Sequence, residues 1–368
     1  MLDDNGRWAW SVTPELTGDP SAEWNIQTQR INAPRTEQAI TLLMEAARRP
    51  RLGARLEDDD DWEEEEGVPI LSDIYIEEVP HLSNVCRFLA TAASIRLEQD
   101  RPDPAIKLIQ SMIDAADLCR EYPSGISQII ESASYATALN FTGWALENHS
   151  EKLNDEHLAA LDAALDQTLF IDTSIQRLVF EDLVRRPIDE PGPASNQALE
   201  DLPQPVHSVI AAYDTILECA ARPIGPTIDP DPWQCRDLYE SVLEAHPEFK
   251  EDLQTGNIAW DRTRRSLQHI KQGQLALRLA IAAYRHRSRH AEFTPSIETI
   301  DHDLLGFEPI DMITGEHLKY KVVENRPLIY TVGADRDDDG GHHVRDAIQT
   351  TNRVIADGDY ILFGAQPN

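Results

Sequence analysis

The chain has 368 residues, room for two or three domains of ordinary size, and its 33 Lys and Arg face 65 Asp and Glu for a formal net charge of −32. Such a field repels a nucleic-acid backbone and an anionic membrane surface, so cations and basic protein or peptide partners are the ligands to look for. At 41% hydrophobic and 27% charged the composition is that of a globular protein, and no stretch approaches the roughly 20 apolar residues of a membrane span.

In chain order, residues 1–33 read as an extended segment. Met1 to Gly6 carry neither a basic nor an apolar signal region, so the cytoplasm is the default compartment, with the cell envelope as the alternative if an anchor has been trimmed. From Pro34 to about Arg49, Ala39, Ile40, Leu42, Leu43, Ala46 and Ala47 recur at helical spacing, with Pro34 in the first turn where its missing N–H is harmless. The acidic loop 57–67 follows. Its run Glu57 to Glu66 reads as a solvated loop rather than as a docking segment anchored by Trp62.

His81 to His149 predict three consecutive helices. The first carries Val85, Cys86, Leu89 and Ala93; the second is expected to be capped by Asp103 with Pro104 at its first position. The third opens at Pro123-Ser124, and its apolar run through Ile126, Ile129, Ile130, Leu139, Phe141 and Trp144 predicts burial on most sides. Asn154 should cap a fourth helix through Leu158, Leu161 and Leu165, and Ile175 to Leu183 a fifth. Short connections imply antiparallel neighbours in a bundle or solenoid-like stack, without the recurring signature of a tetratricopeptide repeat. The four cysteines have no metal or redox spacing; Cys86 and Cys119 read as buried thiols.

Proline-rich loops over 187–205 and 222–232 separate further helices. A long helix from about Asp261 to His290 then carries a broad apolar face interrupted by Gly273. Beyond it, His317 to Glu324 and Leu328 to Gly333 predict a hairpin, and Asp359 to Phe363 a third strand. The expected architecture is mainly α: a helical domain over 34–256, then a small α+β module over 257–368 in which the long helix packs on a three-stranded antiparallel sheet.

The chemistry concentrates in the acidic loop 334–358. Asp335, Asp337 and Asp339 with Gly340 match D-x-D-x-D-G, and Asp346 stands where a twelve-residue calcium loop places its last carboxylate. Alternate carboxylates can converge on one hard cation, and the glycine permits the turn. The flanks depart from an EF-hand, since a strand precedes the loop and His342 replaces the usual apolar residue. His342 and His343 raise a transition-metal alternative, and with it a metal-dependent hydrolase. His286 and His290, at i and i+4, lack the H-E-x-x-H glutamate and are explained more simply by the negative end of the helix dipole.

The order from Ala282-Ala283-Tyr284-Arg285 through Phe293-Thr294-Pro295, Asp311-Met312-Ile313-Thr314-Gly315, Tyr330-Thr331-Val332-Gly333-Ala334-Asp335, Asp338-Asp339-Gly340-Gly341 and Gly358-Asp359 resembles the globular part of type II secretion major pseudopilins. It resembles more closely the tail of a group of uncharacterised bacterial proteins with a helical N-terminal region. Met312 stands where the family has proline, and Thr294 where it has tyrosine. The resemblance covers about residues 261–363 and implies a sheet-and-helix module with a structural calcium ion, to which Asp335, Asp338 and Asp339 correspond. The candidate metal ligands are thus Asp335, Asp337, Asp338, Asp339 and Asp346. The expected function is a non-enzymatic binding or scaffold protein with a calcium-stabilised C-terminal module, linked to the cell envelope or secretion. A metal-dependent hydrolase is the alternative, and an acidic chaperone or mimic using Glu57 to Glu66 a third reading.

Overall fold

The computed structural model describes residues 20–49, 79–119, 125–166, 244, 250–312, 314–332, 337–342 and 359–364. The acidic run 57–66, the helix at 175–183, both proline-rich loops, and Asp335, His343 and Asp346 lie outside the described residues. The architecture is mainly helical with a three-stranded antiparallel sheet towards the C-terminus. The helices are α1 (Pro20–Ile31), α2 (Pro34–Ala47), α3 (Val79–Glu98), α4 (Pro102–Leu118), α5 (Gly125–His149), α6 (Asp155–Asp166) and α7 (Lys250–His290); the strands are β1 (Lys319–Val323), β2 (Arg326–Thr331) and β3 (Tyr360–Phe363). The segment 1–33 is therefore not extended throughout: residues 20–31 are helical, and Ile31 enters the core.

Local chemistry sets the helix ends. Pro34 occupies the first turn of α2, as its fixed φ favours. The α3–α4 reversal is a Schellman turn. The Arg101 N–H donates to the Arg96 carbonyl at 2.9 Å and the Asp100 N–H to the Leu97 carbonyl at 3.1 Å, with Asp100 in the left-handed region at φ 56° where glycine is usual. Lys152 compensates: its Nζ donates to the Leu97 carbonyl at 2.8 Å and pairs with Asp100 at 2.9 Å. Asn154 caps α6 as expected, its Oδ1 accepting from the His157 N–H at 2.9 Å. Asp103 does not cap α4. The helix starts two residues earlier than expected, at Pro102, after an N-cap Arg101 with no side-chain cap, and the Asp103 carboxylate lies 2.7 Å from His157 Nε2, tying α4 to α6.

One continuous apolar core runs from Ile31 and Ile40 through α3 to α7 and into Ile329 and Phe363 of the sheet. Cys86 and Cys119 are buried free thiols; burial pushes the Cys86 thiol up to about 12 and raises Cys119 further. Arg96, 2% exposed, pairs with Glu37 and so fastens α2 to α3. The central helix α5 is largely buried, but Ile129 is 65% exposed, against expectation, because the burial begins a few residues further along the helix, at Glu131 and Ser132.

The long helix α7 is shared by both layers, touching α5 and α6 as well as β2 and β3. Its small residues Ala276, Ala280 and Ala283 are buried without exposing any side-chain surface, which lets neighbouring backbones come close. Gly273 is not demanded by space, since a Cβ there would meet only Leu139 Cδ1 at 4.0 Å. Arg278, 7% exposed, forms the main polar clamp. Its Nε bonds Asp162 at 2.8 Å, an NH group bonds Asp166 at 2.6 Å, and its guanidinium lies 4.2 Å from the Phe307 ring centroid. Gln272 Oε1 accepts the Met312 N–H at 2.8 Å, docking the segment before the sheet onto α7.

In the sheet the order is β1-β2-β3. Glu324 and Asn325 join β1 to β2, both left-handed at φ 50° and 60°, the conformation of a primed two-residue hairpin turn. Pro327 sits in the central strand opposite Val322, beyond the Ile329 to Thr331 stretch that β3 pairs with, so no ladder bond to β3 is lost. Alternation sends Ile329 into the main core, while Leu328, Tyr330 and Ile361 form a small cluster of their own. Gly364 closes the arrangement: at φ 93°, its missing Cβ would stand 2.5 Å from the Pro327 carbonyl oxygen and 3.1 Å from Leu328 Cα. Gly364→Ala should therefore destabilise the fold by about 2 kcal/mol in urea unfolding, because both the conformation and the backbone contact oppose a side chain.

Candidate functional site

Residues 337–342 cross over the Leu328–Tyr330 face of the sheet, and glycine makes that approach possible. At Gly341, with φ 75°, a Cβ would lie 2.8 Å from Leu328 Cδ2 and 3.3 Å from Tyr330 Cδ1. Asp338 folds the turn. Its Oδ1 accepts from the Tyr330 hydroxyl at 3.0 Å and from the Gly340 N–H at 3.0 Å, and Lys319 stands 3.8 Å from its Oδ2. Lys321 donates to the Gly340 carbonyl from beside the Tyr330 ring. Burial, and then the Asp338 charge, raise the Tyr330 hydroxyl, which therefore stays a donor.

Asp359, at the foot of β3, completes the turn from below. Its backbone N–H donates to the His342 carbonyl at 2.9 Å, and its Oδ2 accepts the Gly341 N–H at 2.6 Å. The residue is fully buried. Burial pushes its carboxyl up to about 6, and the neighbouring Asp338 and Asp339 charges add to this against the N–H groups of Gly341 and Asp339. Two oxygens are left over: Asp359 Oδ1 and Asp339 Oδ2 are both buried and without a hydrogen-bond partner. Unpaired buried carboxylate oxygens are costly unless a cation meets them.

Of the candidate ligands, Asp337 and Asp338 are exposed, Asp339 is half-buried, and Asp335 and Asp346 lie outside the described residues. His342 is exposed and joins the turn through its backbone carbonyl. Asp359, expected at the start of the third strand, is not among the candidate ligands that loop spacing suggests. What marks it is its contact with Gly341 across 18 positions, which no spacing along the chain carries.

A second group of polar side chains converges at the C-terminus of α7. The helix stops at Ala291, left-handed at φ 65°, whose N–H donates to the Arg287 carbonyl at 2.7 Å. Phe293 then packs on Tyr284, with ring centroids 5.2 Å apart, and the chain returns along the helix end to Asp301. Asp301 lies 3.2 Å from His286 Nδ1 and 3.1 Å from His290 Nε2, and Arg289 reaches it at 3.2 Å while also holding Asp303 at 2.9 Å. Burial works to raise the Asp301 carboxyl, but the hydrogen bonds from His290 and Arg289 outweigh it and hold the group below its usual range. The two imidazoles thus do have a carboxylate partner. It comes from eleven residues beyond His290 rather than from the helix itself, which is why no helical spacing revealed it.

Among the described residues, no helix is long and apolar enough to cross a membrane. No protein-family model matches the chain, and neither curated proteins nor solved structures yield a match.

Proposed function

We propose that the protein is a non-enzymatic binding or scaffold protein whose C-terminal sheet is tied down by a structural calcium ion at the Asp-Gly turn. The observation that carries this reading is the pair of buried, unpartnered carboxylate oxygens, Asp339 Oδ2 and Asp359 Oδ1, in a turn that already holds a third carboxylate at Asp338. Hard oxygens of this kind suit Ca²⁺, which accepts irregular geometry and completes its six to eight ligands with backbone carbonyls and water. The residues fit that ion better than a transition metal, since the buried, unpartnered donors of the turn are oxygens and His342 is exposed, joining the turn through its backbone carbonyl. Its role is structural: the ion would offset the mutual repulsion of Asp338, Asp339 and Asp359 and so hold β3 against β2. The helical layer is then the surface offered to a protein or peptide partner, and the net charge of −32 favours a basic one.

Thermal unfolding with and without Ca²⁺ tests the proposal. Calcium at about 100 times its dissociation constant should add about 2.7 kcal/mol and raise the melting temperature accordingly, with Mg²⁺ much less effective and Asp339→Asn losing most of the gain. An unchanged melting temperature at millimolar Ca²⁺ would refute the ion.

A further inference from the structure

We propose that His286, His290 and Asp301 form a binding site for a borderline transition-metal dication of the Zn²⁺ class, separate from the acidic turn. Among the described residues, this is the one group of three or more ligating side chains whose donor atoms all lie within 4.8 Å of one another. The donor set is two imidazole nitrogens and one carboxylate, which suits zinc, cobalt or nickel and not calcium.

The spacing suits such an ion. With metal–ligand bonds of roughly 2.0–2.1 Å, the edges of a tetrahedron measure about 3.3 Å, and the carboxylate stands 3.2 Å from His286 Nδ1 and 3.1 Å from His290 Nε2. Hydrogen bonding accounts for the second contact but not the first. His286 is 8% exposed, and its Nδ1 is buried without a hydrogen-bond partner although the Asp301 oxygen is so near. A buried nitrogen that stands 3.2 Å from a carboxylate oxygen without a hydrogen bond to it is an unmet polar atom, for which a cation shared with that carboxylate would be the partner. The imidazole centroids lie 4.3 Å apart with planes tilted by 33°, so both rings already face the same side of the helix.

Access and preorganisation also favour an ion. The His290 side chain is 49% exposed, which gives a route from solvent and leaves a fourth position to water, while the buried His286 is held by the fold. Arg289 is the opposing charge. It shares Asp301 but also makes two contacts with Asp303, at 3.1 and 2.9 Å, and can retain these when Asp301 turns to the metal. Arg289 therefore sets the affinity downward without blocking the site.

Isothermal titration of the full chain with Zn²⁺, and with Co²⁺ followed by visible absorption, tests this. One equivalent should bind, with cobalt bands of a nitrogen–oxygen site. His290→Gln, at a half-exposed position, and His286→Ala should each weaken binding by at least about tenfold. Arg289→Met should tighten it several-fold, which a purely structural ion-pair cluster would not show. Asp339→Asn should leave zinc binding unchanged, so failure here and failure of the calcium site are separately visible. Zinc binding that persists in the His286→Ala/His290→Gln double variant, or that is lost in His342→Ala instead, would overturn the assignment, as would no binding by a wild type whose melting curve shows it folded.

Discussion

Arg278→Ala should lower stability by about 3 kcal/mol, read as a fall in the urea midpoint at unchanged slope. The side chain is almost wholly buried and joins three elements: Asp162 and Asp166 of α6, α7 itself, and Phe307 in the segment leading to the sheet. Truncation removes the cation from between two carboxylates, one of them only 23% exposed, and opens space beneath the Phe307 ring. Arg278→Met keeps the apolar stem against Phe307 and should recover about 1 kcal/mol of that loss. Arg278→Lys should fall between Met and the wild type, because an ammonium keeps the stem and the charge but cannot address both carboxylates in fork geometry. Equal losses in Ala and Met would show that the stem contributes nothing.

Asp359→Asn should act in opposite directions with and without calcium. The folded carboxyl is raised from 3.8 to about 6, so the folded state holds its proton more tightly than the unfolded chain does. The stability this confers is fully present below about pH 4 and is lost as the pH rises through 6. The calcium-free wild type should accordingly weaken between pH 4 and 7, by about 2 kcal/mol once the solvent that reaches the turn over exposed Asp338 has screened part of the effect. Asparagine keeps an oxygen for the Gly341 N–H and carries no charge, so the variant should lose this pH dependence and exceed the wild type at pH 8 without calcium. With calcium the ranking should reverse, because the ion needs the carboxylate. Calcium affinity of the wild type should fall by about tenfold per pH unit below 6, as one proton competes with the metal. Melts at pH 5 and 8, each with calcium and with chelator, read all four corners; a wild type whose chelated stability is flat across this range would refute the account.

Helices were legible where apolar spacing and a local stop coincide, as in α2 with Pro34 and α6 with its Asn154 cap. The strands were legible from alternation, but the expected turn at 325–327 falls one residue early in the structure, at Glu324-Asn325, with Arg326 and Pro327 already in β2. Asp103 misled because an acid before a proline looks like a cap, whereas a second proline at 102 had already set the helix start and freed the carboxylate for His157. Ile129 misled because an apolar residue two positions before the packed stretch of α5 reads like the rest of the run. The sites were harder to see for one physical reason: spacing reports only neighbours on one element. Asp359 meets Gly341 across 18 positions, and Asp301 meets His290 across 11 through a helix stop and a reversing turn. Neither distance has a period that a sequence pattern could carry.

The seam between β3 and α5 also bears on how the chain reaches its native state. Gly364 donates its N–H to the Glu147 carboxylate at 3.1 Å across 217 positions, and Phe363 beside it meets Tyr284 edge to face, with centroids 6.3 Å apart. Local helix pairs such as α3 with α4 can assemble early, because three residues close their loop. The Phe363 pocket cannot. It must wait for a closure spanning more than half the chain, and until then the alanine-lined face of α7 stays wet and adhesive. Assembly is therefore expected to run from the helical layer outward, with strand β3 arriving late as the latch, and substitutions at the latch should slow folding less than they hasten unfolding.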